Sequence, residues 1–376
     1  MSTTRRSPLL SPPRGPVPTR PTNWDDEDDD ELPGSPLGKS WVRYVPLTLA
    51  LILMLAPHPS LLIVLVNYHL RVLHSPSRFL THLLVTYTLT FCAVSSLIVI
   101  LARDPGPVPS PKRSEAPDNE SSSMDFAQAL LDTEDDEPLI RTPGKWCRKC
   151  VAPKPERSHH CSSCGRCVLK MDHHCYWLGD KCIGHRNYSA FVHFLTCVSL
   201  LSIYIACLCV QAVYFAFTNP LAIDENTPLH DIYLAFYGII MTLVIGSFWT
   251  YHLYLTTTNQ TTIENISPYL LLRHLPPLPP QTSTRQKLSD PPLEHELTYP
   301  QRRLVRDAHY QLKIYDVGWK RNWAQVMGWS RPRGWMYRLW LGGGGKGDGR
   351  TFPHNPRAEP LLTRLAAELV SIDKNQ

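Results

Sequence analysis

The chain has 376 residues and a formal net charge of +5. That is enough length for two or three domains and too little charge to imply a nucleic-acid partner. Thirty-five prolines point to long connecting stretches outside packed domains.

Residues 1–43 are rich in Pro, Ser and Arg and carry the acidic run Asp25–Glu31. Like charges in a row repel and do not pack, so a solvated, disordered tail is expected. No Arg-led apolar stretch with a small-residue cleavage site opens the chain, so no cleaved signal peptide is expected. Tyr44–Leu70 contains no Asp, Glu, Lys or Arg, and about 20 such residues suffice to cross a bilayer as a helix. Pro57 and Pro59 are expected to kink this helix, which a spanning segment tolerates. Phe79–Leu101, Ala190–Phe217 and Ile232–Leu255 are further uncharged runs of spanning length. The predicted fold class is mostly α: a polytopic membrane protein with four transmembrane helices, two within residues 44–102 and two within 190–255.

Lys and Arg orient the spans. Six precede the first, two lie in residues 71–78, thirteen in 102–189 and none in 218–231. Both termini and the segment between the second and third spans are therefore expected in the cytosol. That segment opens with a Pro-, Ser- and acid-rich stretch over residues 103–143, expected to be a flexible linker.

Residues 144–189 hold the densest chemistry in the chain. Cys147, Cys150, Cys161, Cys164, Cys167, Cys175 and Cys182 fall here, with His159, His160, His173 and His174. Cys-x-x-Cys pairs have metal-ligand spacing, because a short turn brings both sulfurs onto one ion. With Cys175 set aside, six cysteines and two histidines make eight ligands, enough for two closed tetrahedral zinc sites. The leftover thiol directly follows Asp172-His173-His174, which are the parts of an activated nucleophile. A plain zinc ribbon with Cys175 as a ligand is the competing reading. Spacing does not decide which histidine of the 173–174 pair would bind metal. Thiols kept for metal imply a reducing compartment, in agreement with the charge-based orientation. Cys92, Cys197, Cys207 and Cys209 lie in apolar runs and are expected to be packing residues.

Residues 256–376 form a C-terminal region, also expected in the cytosol. It includes Thr261-Thr262-Ile263-Glu264, a proline-rich stretch over Pro276–Pro300, and Tyr315-Asp316-Val317-Gly318 leading to Asn322. Trp329, Trp335, Tyr337 and Trp340 alternate with Arg331, Arg333 and Arg338, a mixture suited to the headgroup layer. Gly342–Gly345 reads as a flexible break. Leu362, Leu365 and Leu369 form an apolar stripe at helical spacing, expected to be a docking face.

Over residues 44–330 the chain resembles the DHHC-type protein S-acyltransferases (palmitoyltransferases). Within the cysteine window the match runs through Cys147-x-x-Cys150, Lys154-Pro155-x-Arg157, His160-Cys161-x-x-Cys164-x-x-Cys167 and Asp172-His173-His174-Cys175, then Trp177, Cys182, Gly184 and Asn187. Flanking signatures are Asp104-Pro105-Gly106, Thr261-Thr262-x-Glu264 and Tyr315-x-x-Gly318-x-x-x-Asn322. The chain departs from the pattern at Tyr176, where the family has Pro, and in a Cys175-to-Cys182 loop one residue longer, with Lys181 where an Asn is usual. A glycine in that loop, Gly179, can absorb the insertion.

The resemblance implies one structural Zn2+ held by Cys147, Cys150, His160 and Cys167, and a second by Cys161, Cys164, His174 and Cys182. It implies Cys175 as nucleophile, His173 as base and Asp172 orienting the imidazole, with Thr261, Thr262, Glu264, Tyr315 and Asn322 in support; Thr262 and Asn322 would brace the catalytic loop. The implied co-substrate is an acyl-CoA such as palmitoyl-CoA, and the acceptors are cysteine thiols of membrane-associated proteins. The setting would be an endomembrane: Golgi, endoplasmic reticulum or vacuole. By analogy, chain length is limited near Leu201 or Tyr204 on the third span. Lys145, Arg148, Lys149, Lys154 and Arg157 are candidates to meet the CoA phosphates. A membrane-anchored zinc adaptor that has lost activity is the alternative, favoured by Tyr176 and the longer loop. A zinc hydrolase would need an open metal position, which the eight-ligand arithmetic opposes.

Overall fold

A computed structural model describes residues 41–108, 146–222, 227–279, 288–328, 338, 340 and 342–372. The acidic tail up to residue 40, most of the linker with Lys145, residues 280–287 of the proline-rich stretch and the Trp329–Tyr337 aromatic–basic run lie outside the described residues.

Among the described residues, four helical segments are long and apolar enough to cross a membrane: Trp41–Val72, Pro76–Ala102, Tyr188–Thr218 and Thr227–Thr258. The first is broken where its prolines predict. Helix α1 (Val45–Leu55) ends before Pro57, α2 (His58–Val64) restarts with Pro59 in its first turn, and a π-helical stretch, Leu65–Val72, completes the span. Helices α3 (Pro76–Ala102), α4 (Tyr188–Thr218) and α5 (Thr227–Thr258) are continuous. Leu80, Leu84, Phe91, Phe236 and Leu243 point outward, as lipid-facing side chains must. Between helices, polar side chains pair with one another: Ser96 Oγ lies 2.6 Å from His193 Nδ1, and Trp249 Nε1 donates to Thr196 Oγ1 at 3.0 Å. In a medium without water such groups find partners within the protein.

Between α3 and α4 the chain forms three two-stranded antiparallel hairpins: β1 (Trp146–Cys147) with β2 (Ala152–Pro153), β3 (His159–Cys161) with β4 (Arg166–Val168), and β5 (His173–Cys175) with β6 (Lys181–Ile183). Among the described residues their own apolar cluster is Cys161, Val168, Met171 and Cys182, with Cys164 and Ile263 at its edge. Strands this short with so small a core do not fold by apolar burial alone. The last hairpin docks on the spans. Leu178 and Ile183 join Leu97, Ile100, Tyr188 and Phe191 in one buried cluster. Lys181 Nζ donates to the Leu101 carbonyl at 2.8 Å, placing a cation on the C-terminal end of α3, where the helix dipole favours it.

After α5 come α6 (Thr262–Ile266), α7 (Tyr299–Gln311), α8 (Trp319–Met327) and α9 (Ala358–Ile372). The leucine stripe docks as its spacing predicts: Leu362, Leu365 and Leu369 are buried with Leu271, Leu272, Val305 and Leu312. The glycine run differs from its reading. Gly342 and Gly343 are buried, and Lys346 N donates to the Gln325 carbonyl at 2.8 Å, so the segment is packed rather than a break.

Candidate active site and metal centres

Strand register assembles two groups of residues that could each hold a metal ion. In β3–β4, His160 stands opposite Cys167; in β5–β6, His174 stands opposite Cys182. Each pair therefore presents one imidazole and one thiol side by side. Each Cys-x-x-Cys turn adds two more sulfurs, folding back so that Cys150 N donates to Cys147 Sγ at 3.4 Å and Cys164 N to Cys161 Sγ at 3.3 Å. The results are two groups, Cys147/Cys150/His160/Cys167 and Cys161/Cys164/His174/Cys182, with donor atoms within 4.8 Å of one another. From His160 Nδ1, the sulfurs of Cys147, Cys150 and Cys167 lie at 3.5, 3.3 and 3.9 Å. From His174 Nδ1, those of Cys161, Cys164 and Cys182 lie at 3.5, 3.4 and 3.6 Å. Ligands about 2.0–2.3 Å from a tetrahedral ion stand roughly 3.6 Å apart, so both groups fit one. No cysteine is in a disulfide, and Cys175 belongs to neither group.

The lengthened loop has a defined job. Gly179 (φ +79°) and Asp180 (φ +52°) both take the left-handed conformation, which Gly adopts without strain and Asp tolerates better than most residues. The turn aims Asp180 back at the metal group, with Oδ1 2.7 Å from His174 Nε2. Asp180 also pairs with Arg43 at the start of the first span. A carboxylate on the far nitrogen of a ligand histidine fixes its tautomer and strengthens it as a donor.

Beside this group, Asp172 immediately precedes β5, and His173 and Cys175 lie on that strand, so the three groups stand together. His173 Nδ1 lies 2.7 Å from Asp172 Oδ2, and the Cys175 thiol is near enough to act on the charge of the His173 ring. Asp172 is 1% exposed. Its Oδ1 accepts from Thr262 N at 3.0 Å and its Oδ2 from Thr262 Oγ1 at 2.7 Å. Burial alone would raise the Asp172 pKa, but its bond to His173, nearby imidazole charge and Thr262 hold it below the ordinary carboxylate range. Burial likewise lowers the His173 pKa; its hydrogen bond to Asp172 and the neighbouring Cys175 sulfur outweigh it and lift it to about 9. Phe191 and Phe248 pack edge-on against the His173 ring, at 5.3 and 6.4 Å.

The supporting residues divide into two sets. Thr261 caps α6, accepting from Glu264 N at 3.2 Å while its own N donates to Glu264 Oε2 at 2.9 Å. That capping box presents the Thr262 N–H to Asp172. Glu264 also binds Arg157 through two bonds of 2.7 Å, and Arg157 reaches Asn259 and lies 4.0 Å over the Tyr315 ring. The Arg157 side chain is thus buried and committed to Glu264 and Asn259, which removes it from the residues expected to meet CoA phosphates. Asn322 does not touch the catalytic loop. Its Nδ2 donates to the Thr257 carbonyl and to Asp316 Oδ1, both at 2.7 Å, so it ties the end of α5 to the start of α8. Tyr204, on α4, hydrogen-bonds His82 Nδ1 at 2.6 Å.

Sequence reasoning missed His252. It is fully buried on α5, its Nδ1 lies 3.1 Å from Tyr188 Oη, and its ring centroid is 6.0 Å from that of His173. The one histidine in the uncharged run Ile232–Leu255 was the available signal. Asp172, His173 and His252 also bring donor atoms within 4.8 Å, but the Asp172 carboxylate is already engaged by His173 and Thr262.

Comparison with known proteins agrees with this geometry. The family model of the DHHC palmitoyltransferases matches residues 140–268. The chain is 37% identical over 196 residues to the probable protein S-acyltransferase 15 of Arabidopsis thaliana, covering 51% of this chain and 69% of that one. The chain belongs to the DHHC palmitoyltransferase family. It is also 31% identical over 249 residues to the palmitoyltransferase PFA3 of Yarrowia lipolytica, covering 62% of this chain and 55% of the relative. With the palmitoyltransferase ZDHHC15 of Xenopus laevis it shares 38% identity over 123 residues, 33% of this chain and 36% of the relative. The chain thus spans between about a third and two thirds of these relatives' lengths.

Proposed function

We propose that this protein is an integral-membrane protein S-acyltransferase that moves a long-chain acyl group from acyl-CoA to cysteine thiols of membrane-associated proteins. The observation that carries this reading is the Asp172–His173–Cys175 line, one residue from a metal ligand. In it, His173 takes the proton from Cys175 Sγ while Asp172 holds the ring and balances its charge. The thiolate attacks the thioester carbonyl, the C–S bond to CoA breaks, and His173 returns the proton to the departing CoA thiolate. An acceptor thiol then loses its proton to His173 and attacks acyl-Cys175, which leaves as thiolate and is reprotonated. Thioester is exchanged for thioester, so no external energy source is required.

The two Cys3His groups would hold zinc as a structural ion, whose contribution is to fix the hairpins. Zinc suits this donor set because thiolate and imidazole ligands in a closed tetrahedral arrangement favour it. The acyl chain would lie among the spans, where each buried CH2 contributes roughly 0.8 kcal/mol. The Lys and Arg distribution supports an orientation with the catalytic domain and both termini cytosolic.

The test is to incubate the purified protein with labelled long-chain acyl-CoA and score hydroxylamine-sensitive label. Label on wild type that disappears in Cys175→Ser supports the reading. Label retained by Cys175→Ser refutes the nucleophile, and no label on metal-loaded wild type favours an inactive zinc adaptor.

A further inference from the structure

A cavity of about 570 Å³ lies where the second span, the third span and the glycine-rich segment meet. Its walls are Arg103, Arg186, Arg350, His185 and Asp348, with three glycines of residues 344–347 and the apolar Pro107 and Leu169. None of these belongs to the metal groups or to the Asp172–His173–Cys175 line. We propose that this cavity binds the phosphate group of an anionic phospholipid from the leaflet on the Cys-rich domain's side of the membrane.

Position is the first argument. Arg103 is the residue after the last of α3, and Arg186 stands two residues before α4 begins. Both arginines therefore sit at the ends of spanning helices, the level of lipid headgroups. Charge is the second. Three arginines from three separate segments line the cavity against one carboxylate, Asp348, whose Oδ1 accepts from the Arg350 backbone N–H at 2.9 Å. Guanidinium forks suit phosphate oxygens, and clustered arginines at a membrane surface attract anionic lipid.

The third argument is that the walls are held in place. Arg103 Nη1 donates to the carbonyls of Arg186 at 3.0 Å and Gly343 at 2.8 Å, tying both spans to the glycine-rich segment. His185 Nε2 lies 3.2 Å from the Gly347 carbonyl. Gly349, at φ +78°, lies so close to His185 that a β-carbon would fall 2.6 Å from its ring. Glycine there lets the segment close over His185 and bring Arg350 to the cavity. A preformed basic cavity loses little on ordering when a phosphate enters.

Phosphate could also arrive on CoA, so the experiment separates the two sources. The full chain would be purified from, or exchanged into, bilayers of phosphatidylcholine with phosphatidic acid, and retained lipid counted by native mass spectrometry. Wild type should keep phosphatidic acid in preference to phosphatidylcholine, and excess free CoA should not displace it. Arg186→Gln and Arg350→Gln, both on exposed side chains, should each lower retention about fivefold, the effect of one surface arginine on anionic lipid, with metal content unchanged. Arg350→Gln decides if Arg186→Gln fails to fold. Equal retention of the two lipids, or retention untouched in the double variant, overturns the proposal. Displacement by CoA, with a raised KM for acyl-CoA in both variants, overturns it in favour of a co-substrate site. Lipid retention is read without acyl transfer, so this outcome is independent of the proposed activity.

Discussion

The two metal groups have identical donors and nearly identical spacing, yet their surroundings differ. In the first, the ligand histidine, His160, lies on β3, and the group ties β1 to the β3–β4 hairpin. In the second, His174 immediately precedes Cys175, its far nitrogen is held by Asp180, and Asp180 is anchored to Arg43 at the first span. The groups also interleave: Cys161 and Cys164 serve the second group from within the hairpin whose His160 and Cys167 serve the first. One donor set can thus serve two ends. The first group joins hairpins, whereas the second sets the position of Cys175, the proposed nucleophile, relative to the spans.

The strongest way to break this comparison is to remove both metals. Structural zinc supplies about 10–16 kcal/mol of folding free energy in small modules, and the apolar cluster here is half cysteine. Chelation should make residues 146–187 protease-sensitive while the span helices persist by circular dichroism; a protease-resistant apo domain contradicts the claim that metal folds it. Next, Cys175→Ser should abolish acyl label and leave metal content and melting temperature unchanged, because Cys175 lies outside both groups. Loss of metal in that variant would return Cys175 to the ligand set.

Asp172→Asn should lower the acyl-transfer rate about 10²- to 10⁴-fold, the usual range for an assisted proton transfer, again with metal retained. Asp180→Asn sharpens the comparison most directly. It should weaken metal binding in the second group about 10- to 100-fold, as loss of a carboxylate behind a ligand histidine does, and leave the first group untouched; equal loss at both sites, read by metal competition, removes the distinction. The smallest effect is expected for Thr262→Val, which deletes one of the two Thr262 bonds to Asp172 and should slow transfer by about tenfold. A Thr262→Ser variant, keeping the hydroxyl, should recover most of that loss.

Much of the site was legible along the chain because its chemistry is local. Cys-x-x-Cys turns, the Asp172–Cys175 run and four uncharged stretches each declare themselves within a short window, since ligand spacing and bilayer thickness both set lengths in residues. The break at Pro57 and the docking of Leu362, Leu365 and Leu369 were readable for the same reason: ring closure and helical periodicity act between near neighbours. Only the tertiary structure brought Thr262 to Asp172 across 90 residues, buried Arg157 against Glu264 instead of offering it to a ligand, turned Asp180 onto His174, and packed the glycine-rich segment beside Arg103. Except for the Asp180–His174 turn, which depends on two left-handed residues, those contacts join segments far apart in the chain, and their partners are chosen by which helix ends and hairpins are neighbours in space, a quantity no local spacing encodes.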